Sequence, residues 1–107
     1  MTNNSKVYSL MGFASKARKI VTGYNTCLKM IPAGKIGLLI MGEDVGESTK
    51  KKMQDKCMSY QIPIREYGNC SELSHAVGKR DKGLFGITEE NFAKSIMDAI
   101  DREREVF

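Results

Sequence analysis

The stretch TGYNTCLK at residues 22–29 combines a glycine, small polar side chains and a lysine at the predicted start of a helix. Glycine lets a ligand approach the backbone closely, and the first N–H groups of a helix carry partial positive charge. Asn25 and Thr26 can donate and accept hydrogen bonds, and Lys29 follows Asn25 by one helical turn. The stretch therefore suits a ligand that offers both negative charge and polar edges.

Two more segments combine glycine with charge. One is GED at 42–44, followed by a lysine run at 50–52, and the other is GKRDKG at 78–83, which holds three cations. Each has an ordinary structural explanation: Asp44 and Glu47 fit a capping-box-like pattern, a lysine run on a helix is usually a solvated face, and a basic loop is often only a loop. Together with the helix start, however, they predict a surface for phosphates beside exposed bases, as irregular RNA presents them.

Patterns for catalysis and metal binding are weak. His75 is the only histidine, no serine lies in a Gly-x-Ser-x-Gly motif, and the glycine-rich phosphate-loop patterns do not occur. The three cysteines form no Cys-x-x-Cys pair, so they are predicted to be buried or half-buried thiols. We therefore predict no enzyme, no cofactor and no metal; an enzyme that uses Glu43 or Asp44 with His75 is the least favoured alternative.

The composition is that of an ordinary globular protein. The chain has 107 residues, of which 41% are hydrophobic and 28% charged, and its net charge is +4. The excess of cations favours a polyanionic partner. No apolar stretch approaches the roughly 20 residues of a membrane span, and the N-terminus lacks the apolar segment of a secretion signal. We expect one domain over residues 1–107, no membrane partner and a cytoplasmic location.

Hydrophobic periodicity predicts alternating helices and strands. Helices are predicted at about 5–17, 23–31, 47–60, 69–77 and 88–100, and strands at 19–22, 35–41, 62–67 and 82–87. A helix between two strands permits parallel pairing, and short apolar strands need cover on both faces. The pattern therefore predicts an α/β fold, a three-layer α/β/α sandwich around a mixed sheet of about four strands.

Several local predictions accompany this pattern. The expected helix caps are Thr22, either Asn69 or Ser71, and Thr88. On the third helix, Tyr60 is predicted to face the core and Lys50 the solvent. The C-terminal sequence DREREVF is predicted to be a frayed, exposed end.

Three segments carry a resemblance to a known family: TGYNTCLK, the run from Gly34 to Ile64, and ELSHAVGKRDKGLFGITEENFAK at 72–94. Their shared features are Gly-x-Asn-x-x-x-Lys, Gly-Lys before an apolar strand, Glu-Asp at the end of that strand, Cys-x-x-Tyr-x-x-Pro and Glu-Leu-x-x-Ala-x-Gly. In this order they resemble the ribosomal-protein family that binds kink-turn RNA, whose members include the L-seven-Ae and L-thirty-e types. The small bacterial cytoplasmic members are the most similar.

The resemblance implies an α/β/α sandwich and an RNA site built from two segments. In the family, the entrance of the second helix reaches the sheared G·A pairs and the backbone at the kink, and the loop before the last strand holds the flipped-out nucleotide. A carboxylate pair at the end of a strand accompanies them. Tyr24 is added to this site as a side chain that either stacks on a base or covers the helix entrance. The predicted RNA-binding positions are therefore Gly23, Tyr24, Asn25, Thr26, Lys29, Glu43, Asp44, Lys79, Arg80, Asp81, Lys82 and Gly83.

Two positions depart from the family pattern. Many members carry Glu or Gln where this chain has Thr26, and the shorter threonine implies weaker contacts to guanine. The loop reads KRDK where family binders often have small apolar residues, which favours phosphate contact over a closed base pocket. The main hypothesis is a non-catalytic protein that binds kinked structured RNA, with ribosomal RNA, an mRNA leader and the ribosome as the candidate partners. The alternative is a protein–protein interaction module of the same fold associated with translation.

Overall fold

The computed structural model describes residues 5–105, in which five helices alternate with four strands. The order follows the sequence pattern, although the strands are shorter than predicted. The elements are α1 (Lys6–Lys16), β1 (Ile20–Thr22), α2 (Tyr24–Met30), β2 (Leu38–Met41), α3 (Glu47–Ser59), β3 (Ile64–Glu66), α4 (Cys70–Ala76), β4 (Leu84–Ile87) and α5 (Glu90–Arg104). No helix in this part of the chain is long and apolar enough to cross a membrane.

The four strands form one mixed sheet in the order β1-β4-β2-β3. β4 is antiparallel to both of its neighbours, and β2 is parallel to β3. Thr22 pairs with Phe85 and Met41 pairs with Leu84, so β1 and β2 end where β4 begins. We call this the site end of the sheet, because the three segments singled out in the sequence follow or precede strands there.

Alternate side chains of β2 enter two separate cores. Leu38 and Ile40 point into one cluster with residues of α1, α4 and α5, and Leu39 and Met41 point into another with residues of α2 and α3. This alternation is the two-residue period of a strand covered on both faces. The predicted three-layer α/β/α sandwich with a four-stranded mixed sheet is therefore confirmed.

Two of the predicted helix caps are wrong. Thr22 stays in the strand ladder opposite Phe85, and the N-cap of α2 is Gly23. On α5, Glu89 replaces Thr88 as the cap, because its side chain accepts a hydrogen bond from the N–H of Phe92. In both cases the helix begins one residue later than the cap pattern suggested.

For α4 the sequence left Asn69 and Ser71 as alternative caps, and the structure selects Asn69. Its side chain accepts a hydrogen bond from the N–H of Glu72. The prediction that Tyr60 faces the core is wrong, because Tyr60 lies beyond the end of α3 and is 48% exposed.

The C-terminal segment is helical up to Arg104, so the predicted fraying is wrong for residues 101–104, whereas residues 102–105 are exposed as predicted. Arg65 of β3 holds this segment with two hydrogen bonds to Asp101, at 2.9 and 3.1 Å. Tyr67 donates to Glu103 at 2.6 Å. Contacts between distant parts of the chain therefore stabilise a segment whose sequence alone is too polar to indicate packing. The prediction for residues 106–107 lies outside the described residues.

Candidate nucleic-acid interface

The start of α2, residues 23–29, forms a polar projection that we call the helix tip. Gly23 has φ 98° and ψ 156°, a backbone conformation that is open almost only to glycine. No side chain among residues 5–105 caps this helix end. Because the first N–H groups of a helix have no partner within the helix, the tip presents hydrogen-bond donors to the outside.

The side chains of the helix tip divide into an exposed and a packed set. Asn25, Thr26 and Lys29 are exposed, and Asn25 and Lys29 share one side of the helix at a spacing of four residues. Cys27 is fully buried beneath them, and burial raises the pKa of its thiol to about 12. Tyr24 is half-buried and packs against the core cluster under α2.

The loop at 78–83, which we call the basic loop, reaches the helix tip. The Nζ of Lys82 lies 4.0 Å from the position that a Cβ on Gly23 would take. The backbone joins the same segments, since Gly23 donates to the carbonyl of Leu84 and Gly42 to that of Gly83, each at 3.0 Å. The three segments singled out in the sequence therefore meet at the site end of the sheet.

The basic loop is fixed from below by Ser74, which is 2% exposed. Its hydroxyl donates to the carbonyl of Lys82 and accepts from the N–H of the same residue, both at 2.9 Å. The carbonyl of Ser74 also accepts from the N–H of Lys79 at 2.8 Å. Sequence reasoning missed Ser74, and its one sequence signal was a polar residue next to Leu73 on the buried side of a short helix.

The outer part of the basic loop is open to solvent. Lys79, Arg80 and Asp81 are exposed, and Lys82 and Gly83 are half-buried. Asp81 has φ 56°, a left-handed conformation that aspartate tolerates better than most residues. The loop thus turns its two outermost cations outward while Lys82 lies towards the helix tip.

Four residues form a crowded arrangement under the loop, which we call the strand-end cluster: Gly42, Asp44, Cys70 and Gly83. A Cβ on Gly42 would lie 2.8 Å from the Sγ of Cys70 and 3.1 Å from its backbone nitrogen. A Cβ on Gly83 would lie 2.9 Å from Cγ2 of Val45 and 3.1 Å from the Sγ of Cys70. Glycine is required at both positions because three chain segments approach one another closely there.

The two carboxylates after β2 have different surroundings. Both residues are exposed, but Oδ1 of Asp44 accepts a hydrogen bond from the N–H of Cys70 at 2.8 Å, whereas the Glu43 side chain forms no hydrogen bond within residues 5–105. The predicted capping box with Glu47 is wrong, because α3 begins after Gly46 with no side-chain cap and Asp44 binds α4 instead. Contacts from the Cys70 side chain and N–H lower the pKa of Asp44, and burial together with Asp44 raises that of Cys70 to about 11.

The first lysine of the 50–52 run does not face the solvent, so that prediction is wrong. The Lys50 side chain is 14% exposed, and its Nζ lies 3.2 Å from Oε1 of Glu66 and 3.8 Å from Oε2 of Glu47. It also donates to the carbonyl of Glu43 at 2.8 Å. Lys50 therefore holds the Glu43 backbone in place, and its charge is directed towards Glu66 and Glu47. The contact with Glu66 is the main reason that the pKa of the Lys50 amine is raised.

A polar pocket of about 470 Å³ opens beside the basic loop. It is lined by residues of three segments: Asp44, the first turns of α4 including Cys70, Ser74 and His75, and Lys79 to Asp81. Asp44 and His75, the pair considered for catalysis, thus line the same pocket. One carboxylate oxygen of Asp44 is already bonded to the N–H of Cys70, and His75 is exposed.

A family model described as the ribosomal protein L7Ae/L30e/S12e/Gadd45 family matches residues 5–97, and the chain belongs to this family. Two curated relatives are named RNA-binding protein YlxQ. The one from Bacillus subtilis (strain 168) is 30% identical over 94 residues, with 88% of this chain and 94% of the relative covered. The one from Enterococcus faecium is 33% identical over 99 residues, with 92% and 95% covered.

Solved structures show the same architecture. A protein of unknown function from Bacillus halodurans superimposes with a TM-score of 0.90 at 38% sequence identity, covering 92% of this chain and 99% of its own. The 15.5kD RNA binding protein of Giardia lamblia gives a TM-score of 0.75 at 18% identity, covering 97% of this chain and 93% of its own. The latter likeness establishes the fold alone.

Proposed function

We propose that this protein is a non-catalytic RNA-binding protein that recognises kink-turn or similarly kinked RNA through the helix tip and the basic loop. The observation that carries the proposal is the approach of these two segments, with the Nζ of Lys82 4.0 Å from a Cβ position on Gly23. Both curated relatives bear the name RNA-binding protein, which supports RNA as the class of ligand.

The helix tip supplies groups for bases and for phosphate. Asn25 and Thr26 are exposed and can bind the polar edges of bases, and Lys29 adds a cation on the same side as Asn25. Kinked RNA offers unstacked base edges next to closely spaced phosphates, whereas a regular RNA duplex keeps its bases stacked and its major groove too deep and narrow for side chains to read. The mixture of groups at the tip therefore fits kinked RNA better than plain duplex.

The basic loop supplies the second contact. It carries Lys79, Arg80 and Lys82 against the single carboxylate of Asp81, and Ser74 fixes its backbone from below. A loop that is already ordered loses little conformational entropy on binding. We assign to it the contact with phosphates around the flipped-out nucleotide, with ribosomal RNA or an mRNA leader as the candidate partner.

The test is a titration of the full chain with a kink-turn RNA and with a control duplex in which Watson–Crick pairs replace the kink. We expect tighter binding to the kinked RNA, and Lys29→Ala should weaken it by roughly 1–3 kcal/mol. Lys35→Ala is the matched control, because Lys35 is an exposed lysine before β2 at the other end of the sheet. Equal, weak and salt-sensitive binding to both RNAs would contradict the proposal and favour the protein-interaction module.

A further inference from the structure

A basic groove runs between α2 and α3. It has a volume of about 560 Å³ and is lined by Leu28 of α2 and by α3 residues at positions 48, 51, 52, 55, 56 and 59. This spacing of three and four places the α3 residues on one face of the helix. Because β1 and β2 end at the site end of the sheet, α2 and α3 both begin there. The groove includes Leu28 of the helix tip and runs along α3 from Ser48 in its first turn to Ser59 at its end.

The lysines of the groove differ from Lys50 in what they contact. Three lysines and one aspartate line it, which gives a net charge of +2. Lys51 lies 3.4 Å from Asp55, whereas neither Lys52 nor Lys56 forms a salt bridge within residues 5–105. These two cations are therefore available to an anionic partner.

The spacing of the two cations suits a polymer of phosphates. Lys52 and Lys56 are one helical turn apart, which corresponds to a rise of about 6 Å along α3. Successive phosphates of a nucleic-acid strand are separated by a comparable distance. Leu28 is the one apolar residue of the lining, and the hydrocarbon stems of the lysines add further apolar surface. It is therefore the net positive charge of the groove that favours a polyanion over a protein partner.

We infer that this groove binds the sugar–phosphate backbone of the duplex stem that leads out of the kink. The inference rests on the proposed function, since that function places kinked RNA at the helix tip from which the groove extends. Phosphate contacts of this kind add affinity without sequence preference and fix the direction of the stem.

The experiment compares the full-length wild type with the double variant Lys52→Gln/Lys56→Gln on two kinked RNAs that differ only in the length of this stem. Lengthening the stem should increase the affinity of the wild type but not that of the variant. On the long-stem RNA we expect a roughly three- to tenfold loss of affinity, as for two exposed ion pairs. A plot of the logarithm of the association constant against the logarithm of the salt concentration should be less steep for the variant. We expect the magnitude of its slope to be smaller by about 1.4–1.8, the value for two phosphate contacts.

The control is Lys35→Gln/Lys94→Gln, which removes the same charge at the opposite end of the sheet, where both residues line another depression. The inference is overturned if this control loses as much affinity as the groove variant, or if the groove variant keeps the full benefit of a long stem. A straight duplex of the same length is measured in parallel. If the wild type does not prefer the kinked RNA, the proposed function fails, whereas the response of duplex binding to the groove variant still decides the inference.

Discussion

The helix tip and the strand-end cluster lie at the same end of the sheet, yet they are built in opposite ways. The tip exposes Asn25, Thr26 and Lys29 and has no side-chain cap. In the cluster, by contrast, neither Gly42 nor Gly83 has space for a Cβ. One region leaves its polar groups available to a ligand, and the other satisfies its polar groups within the protein.

The difference separates residues that contact a ligand from residues that hold the contacting segments in place. A change of Lys29 should lower RNA affinity without lowering the free energy of unfolding, because the side chain is exposed. A change in the cluster should lower both, because the cluster joins the loop after β2, the start of α4 and the start of β4. Four substitutions test this separation, at Gly42, Gly23, Ser74 and Asp44.

Gly42→Ala is expected to have the largest effect. Its Cβ would approach both the Sγ and the backbone nitrogen of Cys70, and backbone cannot move aside as the end of a flexible side chain can. We expect a loss of about 3 kcal/mol in the free energy of unfolding, measured by urea denaturation. Gly46→Ala is the control, because nothing lies within 4 Å of a Cβ there, and an equal loss in that variant would contradict the crowding argument.

Gly23→Ala tests the contact between the helix tip and the basic loop. With φ 98° the residue lies where an alanine is strained, so we expect a loss of about 2 kcal/mol in the free energy of unfolding. The added methyl group would also face the Nζ of Lys82. RNA affinity should therefore fall further than it does in a variant that loses the same free energy of unfolding through a change far from the helix tip. Gly34→Ala is the comparison, because Gly34 also has positive φ, at 73°, but lies in the turn after α2.

Ser74→Ala tests the support of the basic loop. The change leaves the N–H and the carbonyl of Lys82 without their partner, and we expect a loss of about 1–2 kcal/mol in the free energy of unfolding. The N–H of Lys82 should exchange faster with solvent deuterium, and RNA affinity should fall with it. Ser71→Ala, an exposed serine on the same helix, is the control. Unchanged exchange at Lys82 would show that the loop is held by other contacts.

The sequence was sufficient to predict the fold because each element carries its own period. β2 is apolar at every position, which indicates a strand covered on both faces. The buried α5 residues Ala93, Ile96 and Ile100 are spaced three and four residues apart, which indicates a helix packed on one side. The meeting of the three segments did not follow from this pattern, because in a parallel sheet the loop before β4 would lie at the opposite end from the segments after β1 and β2. The antiparallel direction of β4 brings its preceding loop to them.

What the sequence could not predict depends on partners far along the chain. Asp44 reads as a local cap, and only the fold brings it to Cys70, 26 residues away. Lys50 reads as a solvated lysine, and its pairing with Glu66 depends on the packing of α3 beside β3. Short-range sequence patterns describe a residue's neighbours along the chain. The hydrogen bonds and ion pairs of Asp44 and Lys50 depend instead on residues that only the fold brings close.

Asp44→Asn is expected to have the smallest effect on the free energy of unfolding. It tests whether the negative charge of Asp44 stabilises the fold. Hydrogen bonds from the Cys70 side chain and N–H hold the pKa of Asp44 below its ordinary value of about 3.9. Because the folded pKa is the lower one, the carboxylate stabilises the fold at neutral pH, and this stabilisation is lost as the pH falls through the folded pKa. The asparagine variant should therefore be less stable than the wild type at pH 7, and the difference should narrow between about pH 4 and pH 2. Urea denaturation at a series of pH values measures it, and a difference that stays constant down to pH 2 would show that the shape of the side chain matters and its charge does not.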